Sequence, residues 1–274
     1  MKVKFYGVRG SIPVCDKDFV RYGGNTTCIC IERVKETGMI IIDAGTGIRS
    51  LGKQLIARQV KEDIINIVFT HFHWDHIQGF PFFAPAYNKN QKIRIHVMGS
   101  ERKFKNLKEI FSAQMQEEYF PVQLDAMGAQ FEFLKWGDKE TFSNTNIIAV
   151  PQHHKILGGS YGLRIEERSH AIVVCTDIEH PDKIDENIVT LAMNADILIH
   201  DGQYTDEEYK KYKGWGHSTW RHAVEVAIRA KVKKLIITHH DPDHNDDFLD
   251  SMENECKKEF PNSLFAREGV EYFI

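Results

Sequence analysis

Hydrophobic positions along the chain gather into short β-branched runs separated by polar turns, with a smaller number of stretches at helical spacing. Alternation or continuous apolar character predicts strands over 2–8, 28–34, 39–42, 64–69, 92–97, 129–134, 145–150, 161–165, 171–175, 197–199, 233–238 and 270–274. The runs 28–34 and 39–42 flank Lys35-Glu36-Thr37-Gly38 and read as a hairpin. So do 161–165 and 171–175 around Glu166-Glu167-Arg168-Ser169. Helical spacing on Ile48, Leu51, Leu55 and Ile56 predicts a helix over 48–58. Further helices are predicted over 100–115 with Ser100 as N-cap, 181–193 with Pro181 in its first turn, 218–230 capped by Ser218 or Thr219, and 246–260. No linker, low-complexity tract or short repeat divides the chain, but groups of strands followed by helices occur twice. That echo predicts an α/β fold with two packed sheets and helices outside them, a four-layer αββα sandwich forming one domain over 1–274.

The run Ile64-Ile65-Asn66-Ile67-Val68-Phe69 leads into His71-Phe72-His73-Trp74-Asp75-His76. On an extended segment His71 and His73, two apart, point the same way. Asp75 and His76 follow where the chain turns toward a helix. Imidazole nitrogen and carboxylate oxygen are the donors zinc prefers, so the cluster suits two ions, one on the histidine pair and one on Asp75 and His76. The competing account is a chance run in a chain with 14 histidines. Further donors close other strand-like runs: His153-His154 after 147–150, Asp177 after 172–176, Asp201 after 197–200 and His239 after 235–238. Polar groups at the ends of adjacent strands converge on one sheet edge, where open α/β sheets place their sites. Together they complete two ligand sets: three histidines for one ion, Asp75, His76 and His239 for the other, and Asp177 shared.

Composition narrows the class. Hydrophobic content of 42% and charged content of 27% are ordinary for a globular protein. A net charge of −4 argues against a general grip on nucleic acid, so no stable nucleic-acid complex is expected. A small phosphorylated substrate stays open, because bound metals reverse the local potential. Cys15, Cys28, Cys30, Cys175 and Cys256 form no C-x-x-C pair, and Cys28 and Cys30 read as small apolar strand residues. With no signal-peptide pattern and no run of membrane-spanning length, the expected location is the reducing cytoplasm, away from membranes.

Through H-x-H-x-D-H at 71–76, the sequence resembles the metallo-β-lactamase-fold hydrolases over nearly its whole length. Histidine, aspartate and histidine at 154, 177 and 239 match the later metal motifs in order, and Asp43 matches an early structural aspartate. Gly216-His217-Ser218-Thr219 before a helix is similar to the phosphodiesterase branch, which includes ribonuclease Z, phosphoribosyl cyclic phosphodiesterases and cyclic-nucleotide phosphodiesterases. Gly7-Val8-Arg9-Gly10-Ser11-Ile12-Pro13 and Gly23-Gly24-Asn25-Thr26 resemble its cyclic phosphodiesterase members. The resemblance implies an αββα sandwich with two divalent ions at one edge, zinc first and manganese as the alternative. The third histidine is His153 or His154. Related sequences place it three positions after a proline, which favours His154 after Pro151, although the spacing to Gly162-Leu163 departs from the pattern.

The ligands imply a mechanism. Two close divalent ions hold a bridging hydroxide as nucleophile and polarise a phosphoryl oxygen, while Asp75 orients that nucleophile. His217 donates a hydrogen bond or proton to the phosphate or leaving oxygen. In ribonuclease Z relatives a carboxylate steers this histidine, and Asp201 holds the matching place. The plain alternative makes His217 a solvent-facing helix residue and Asp201 a cap. His96, His170, His180, His200 and His222 have no motif partner and read as structural, while His240 and His244 are balanced between site support and packing. Trp74, Phe80, Phe82, Phe83, Tyr87, Tyr119 and Phe120 suit base stacking but more often form core or subunit interface.

The expected activity is hydrolysis of a small cyclic phosphate ester, a cyclic nucleotide or a ribose cyclic phosphate. Ribonuclease Z is the alternative, but it generally needs a long RNA-binding arm between its third histidine and bridging aspartate. Here only residues 155–176 lie there. Thioester or lactam hydrolysis shares the metal cluster without needing Gly-His-Ser-Thr. The apolar segments 80–87 and 119–121 predict a homodimer.

Overall fold

The structure, a computed structural model, describes residues 1–32, 38–58, 64–101, 106–142, 145–155 and 159–274. One sheet contains β1 (Lys2–Gly7), β2 (Cys28–Glu32), β3 (Met39–Ile42), β4 (Ile64–Phe69), β5 (Lys92–Val97) and β6 (Gln130–Lys135). The other contains β7 (Lys139–Phe142), β8 (Thr145–Gln152), β9 (Ser160–Glu167), β10 (His170–Cys175), β11 (Ile197–Asp201), β12 (Lys234–Thr238) and β13 (Ser263–Phe265). The last strand, β14 (Glu271–Phe273), returns to the first sheet. The orders are β14-β1-β2-β3-β4-β5-β6 and β13-β12-β11-β10-β9-β8-β7, each seven-stranded. Helices α1 (Ile48–Ala57), α2 (Trp74–Ile77) and α3 (Leu107–Gln114) belong to the first half. The second half carries α4 (Glu186–Ala192), α5 (Asp206–Tyr212), α6 (Trp220–Arg229) and α7 (Asp246–Glu259).

Three apolar layers hold this together. Val3, Phe5, Ile29, Ile31, Ile40, Ile42 and Val68 face Ile147, Leu163, Ile165, Ile172, Val174, Ile197, Ile199 and Ile236 between the sheets. The alternate residues Ile41, Ile65, Ile67 and Phe69 pack outward under α1 and α3. Val173, Cys175, Leu198, Leu235 and Ile237 do the same under α4, α6 and α7. Strands covered on both faces read as continuous apolar runs, which is why the sequence shows them clearly. The strands β3 to β6 run parallel, as do β10 to β13, so their carboxyl ends gather on one edge.

The four-layer arrangement is as expected, with local corrections. The helix expected from Ser100 begins at Leu107, capped by Asn106, whose side chain accepts the Lys108 amide. The Ser100 hydroxyl and amide instead bind Asp138, and 102–105 lie outside the described residues. The helix expected from Pro181 starts at Glu186 with Asp185 as its cap, and Thr219 rather than Ser218 caps α6. The first hairpin pairs antiparallel as expected, but 33–37, covering the end of its first strand and most of its turn, lie outside the described residues. The sequence reading passed over β7, β13 and α5. The first is a polar edge strand, the second is three residues long, and α5 buries no side chain at all, so none has a strong apolar period.

His96 on β5 is fully buried and neutral. Its Nε2–H donates to Asn66 Oδ1 at 3.0 Å, and its Nδ1 accepts from Trp136 Nε1–H at 2.8 Å. Burial, with help from Arg94, pushes its pKa down to about 3. In the unfolded chain it titrates near 6.5, so its contribution is fully present above about 6.5 and is lost as pH falls toward about 3. Between pH 6 and 4 the wild type should lose about 1.4 kcal/mol per pH unit more than a His96→Gln variant. Urea unfolding across that range measures the difference.

Candidate metal centre

Where β3 and β4 end, one buried carboxylate organises the first motif. Asp43 accepts the Thr70 amide at 2.8 Å, the Thr70 hydroxyl at 2.8 Å and His76 Nδ1–H at 2.8 Å. Thr70 Oγ1 in turn accepts His71 Nδ1–H at 3.1 Å. Each bond fixes a tautomer and leaves Nε2 of His71 and of His76 as the free nitrogen. Asp43, Asp177 and His239, which follow β3, β10 and β12, all have positive φ, 59°, 55° and 61°. Non-glycine residues adopt that conformation at a cost, and such outliers concentrate at functional sites.

The strand ends bring together two sets of donors that share one aspartate, with Asp201, His217 and His239 forming a third cluster beside them. One ligand atom from each of His71, His73, His154 and Asp177 lies within 4.8 Å of the others, and the same holds for Asp75, His76, Asp177 and His239. Asp177 joins both. Its Oδ2 is 3.0 Å from His76 Nε2, and its Oδ1 is 3.3 Å from His239 Nε2 and 3.6 Å from His71 Nε2. His239 Nε2 also lies 3.1 Å from Asp75 Oδ2, which the Ser11 amide caps at 2.8 Å. His154 Nδ1–H donates to the Gly216 carbonyl at 2.9 Å, so its Nε2 turns a lone pair toward His73 Nδ1, 3.0 Å away. His153, its exposed neighbour, is in neither set.

This donor set fits a pair of divalent ions. Among the described residues Nε2 of His71 and of His76 finds no hydrogen-bond partner and is buried, which is costly unless something binds there. Burial alone favours neutral imidazoles, yet Asp177 heads the carboxylates that hold His76 well above the usual histidine range and lift His239 to about 9. Burial also opposes charge on Asp75 and Asp177, but His76 beside the former and His239 beside the latter keep both well below the usual carboxylate range. Cations among these atoms would replace the imidazole protons. Nitrogen and carboxylate oxygen without thiolate suit zinc, and manganese less closely. If His154 is a ligand, His154→Ala lowers metal content and abolishes turnover, whereas His153→Ala retains both ions; elemental analysis of the two variants separates them.

Beside the second set lies a histidine–carboxylate pair. His217 Nδ1–H donates to Asp201 Oδ2 at 2.8 Å, and the His217 ring stacks on His239 with centroids 4.9 Å apart. Asp201 is fully buried. It accepts amides from Asp177 at 3.2 Å, Gln203 at 3.1 Å and Ser218 at 3.1 Å. One carboxylate thus orients the imidazole and ties its turn to the loop bearing Asp177.

Sequence reasoning passed over several supports. Gln203 accepts His239 Nδ1–H through Oε1 at 3.0 Å, fixing the ring, yet its place after Asp201 carries no motif. Glu179 acts on the backbone amides of a neighbouring turn and the Gly216 carbonyl on the His154 ring, which residue type does not reveal. Thr70, adjoining the motif, is the one support whose position hints at its part. The two balanced histidines face elsewhere: His240 Nε2–H donates to the Ala266 carbonyl at 2.9 Å, and His244 Nε2 pairs with Glu208 Oε1 at 2.7 Å. His180 and His200 bond each other at 3.4 Å, and His170 sits beside Asp196. Among the aromatics, Phe80 and Phe83 are core and Phe120 packs against it, while Trp74, Phe82, Tyr87 and Tyr119 are exposed.

Comparison with known proteins identifies the fold. A family profile described as a beta-lactamase superfamily domain matches residues 39–270. Ribonuclease Z of Gemmatimonas aurantiaca is 24% identical over 315 aligned positions, covering 98% of this chain and 94% of the relative. The metallo-beta-lactamase fold protein YhfI from Bacillus subtilis superposes with a TM-score of 0.72 at 19% identity, covering 99% of this chain and 98% of that one. The short form of human tRNase Z gives 0.69 at 19% identity, covering 100% and 99%. With two packed seven-stranded sheets and this profile match, the chain belongs to the beta-lactamase superfamily and has the metallo-β-lactamase fold.

Proposed function

We propose that the chain is a dinuclear metal-dependent phosphodiesterase that hydrolyses a small cyclic phosphate ester, a cyclic nucleotide or a ribose cyclic phosphate. The observation that carries this is the pair of donor sets sharing Asp177, with the His217–Asp201 pair stacked against His239. His71, His73, His154 and Asp177 hold one ion, and Asp75, His76, His239 and Asp177 the other; zinc is the first choice. Bound there, two ions supply a nucleophilic water at neutral pH and polarise a phosphoryl oxygen. Asp75 orients the attacking group. His217, held by Asp201, protonates the departing oxygen. A dyad aimed at a departing alkoxide favours a phosphodiester over a thioester or lactam.

A ribonuclease Z activity is the second reading, and the name of the curated relative favours it. Two features weigh toward the small ester. The alignment runs over 315 positions, more than the 274 residues of this chain, so that relative carries residues with no counterpart here. Between His154 and Asp177 the described residues form β9 and β10, an antiparallel pair turning between Glu167 and His170.

The deciding experiment assays zinc-loaded protein against cyclic nucleotides, ribose cyclic phosphates, a model aryl phosphodiester and a transfer-RNA precursor. Turnover of a cyclic phosphate with no RNA trimming supports the proposal. RNA trimming alone moves the function to the second reading, and inactivity on every ester defeats both. No helix among the described residues is long and apolar enough to cross a membrane, and we assign the chain to the cytoplasm. Exposed Phe82, 55% accessible, and Tyr119, 70%, lie in the segments expected to form a homodimer. Light scattering at micromolar concentration should return twice the chain mass; a monomer mass removes that assignment.

A further inference from the structure

We propose that Glu179 is a positioning residue that couples the acid His217 to the first metal-binding set through a single residue, Gly216. Glu179 lies two residues beyond Asp177 and is 1% exposed. Its amide donates to the His153 carbonyl at 2.9 Å, which pins the Asp177 loop to the segment carrying His154. Its carboxylate serves one turn. Oε1 accepts the Gly214 amide at 2.6 Å and the Tyr209 hydroxyl at 3.0 Å, and Oε2 accepts the Gly216 amide at 3.1 Å. Among the described residues no lysine or arginine pairs with it. A buried carboxylate without a cation is costly to desolvate, and an apolar side chain of similar volume often stabilises a fold better. Its place here makes sense as a device for geometry.

That geometry is unusual at both ends of the turn. Gly214 and Gly216 have φ of +92° and +93°, so their amides can converge on one anion as a backbone nest does. Gly216 also passes directly over a metal-set histidine: a Cβ built there would lie 2.2 Å from His154 Nδ1. The Gly216 carbonyl is the acceptor for His154 Nδ1–H, and the next residue is His217. Gly216 is thus held by Glu179 through its N–H, holds the His154 ring through its C=O, and is followed directly by the acid. Loss of the carboxylate should loosen the His154 ring and misplace His217 together, although the hydrogen bonds of the Glu179 side chain go to Gly214, Gly216 and Tyr209. Partners that orient metal-binding histidines commonly change metal affinity by about 10–100-fold when removed.

The metal half of this inference stands on the donor geometry, and the kinetic half rests on the phosphodiesterase reading. The test uses full-length Glu179→Ala, Glu179→Gln and Tyr209→Phe, stripped and titrated with Zn²⁺ against a chromophoric chelator, then assayed on a cyclic and an aryl phosphodiester. The expected result for Glu179→Ala is one zinc weakened by about 10–100-fold and the other unchanged. Its kcat should fall further on the cyclic ester than on the aryl ester, with KM nearly constant. Glu179→Gln keeps an oxygen for Gly214 but turns an NH2 toward the Gly216 amide, so it should show both effects more weakly. Tyr209→Phe removes one donor from Oε1 and should move the two-ester ratio the same way, less far. If Glu179→Ala fails to fold, the Gln and Phe variants decide alone. Wild-type zinc affinities and an unchanged ester ratio in them overturn the proposal, as does an equal loss on both esters with both zincs retained. If the wild type cleaves neither ester, the proposed function fails, and the zinc titration still decides the role of Glu179.

Discussion

Asp177→Ala should leave fewer than one zinc ion bound per chain after reconstitution and desalting, where the native chain keeps about two, and should reduce phosphodiester turnover to background. Asp177 is the only residue common to both donor sets, with one oxygen 3.0 Å from His76 Nε2 and the other 3.3 Å from His239 Nε2. Its replacement removes a charge from each set at once. Asp43 provides the contrast. It belongs to neither set and, among the described residues, reaches the site through Thr70 and His76 Nδ1, so Asp43→Ala should weaken zinc binding by about 10–100-fold and still permit loading at excess zinc. Elemental analysis of both variants beside the native chain reads the difference. Two ions retained by Asp177→Ala would remove the shared-ligand assignment and, with it, the dinuclear proposal.

The contrast between Asp177 and Asp43 also shows what a sequence makes legible. His71, His73, Asp75, His76, Asp177 and His239 each follow a buried strand, and buried strands are the strongest pattern in this chain. Once the parallel strands are aligned, their carboxyl ends must meet, so the convergence of these residues was readable before any coordinates. His154 was harder, because His153 shares its residue type and lies on the same strand exit. Burial of one and exposure of the other separates them, and that depends on how the loop sits under Gly216. Gln203, Thr70 and Glu179 act through hydrogen bonds to groups brought close by folding, which leave no periodic trace in the sequence. Element starts failed for a related reason. Ser100 has the residue type of a cap, but its hydroxyl was taken by Asp138, a partner from a distant strand connection. Helix α5 holds its place by the Thr205–Glu208 capping box and buries nothing, so apolar periodicity had nothing to detect.

His217→Ala should keep both zinc ions and lower kcat on a cyclic phosphodiester by roughly 10²–10⁴-fold, the span typical of a positioned acid or base. His217 contributes no ligand atom to the two sets that share Asp177, although it sits against them, 4.9 Å between ring centroids from His239. Its Nδ1 is committed to Asp201 Oδ2 at 2.8 Å, which leaves Nε2 as the nitrogen able to deliver a proton. Asp201→Asn keeps the ring but offers it an amide in place of a carboxylate, so the loss should be smaller. Because Asp201 also accepts the Asp177, Gln203 and Ser218 amides, that variant must be checked for metal content before its rate is read. Leaving-group chemistry then separates proton donation from simple phosphate binding. A ribose oxygen departs poorly without a proton, whereas a nitrophenolate departs readily, so the His217→Ala defect should shrink on an aryl phosphodiester. Equal losses on both substrates would instead mean that His217 holds the phosphate, and wild-type rates on both would leave it a helix-start histidine with no part in the chemistry.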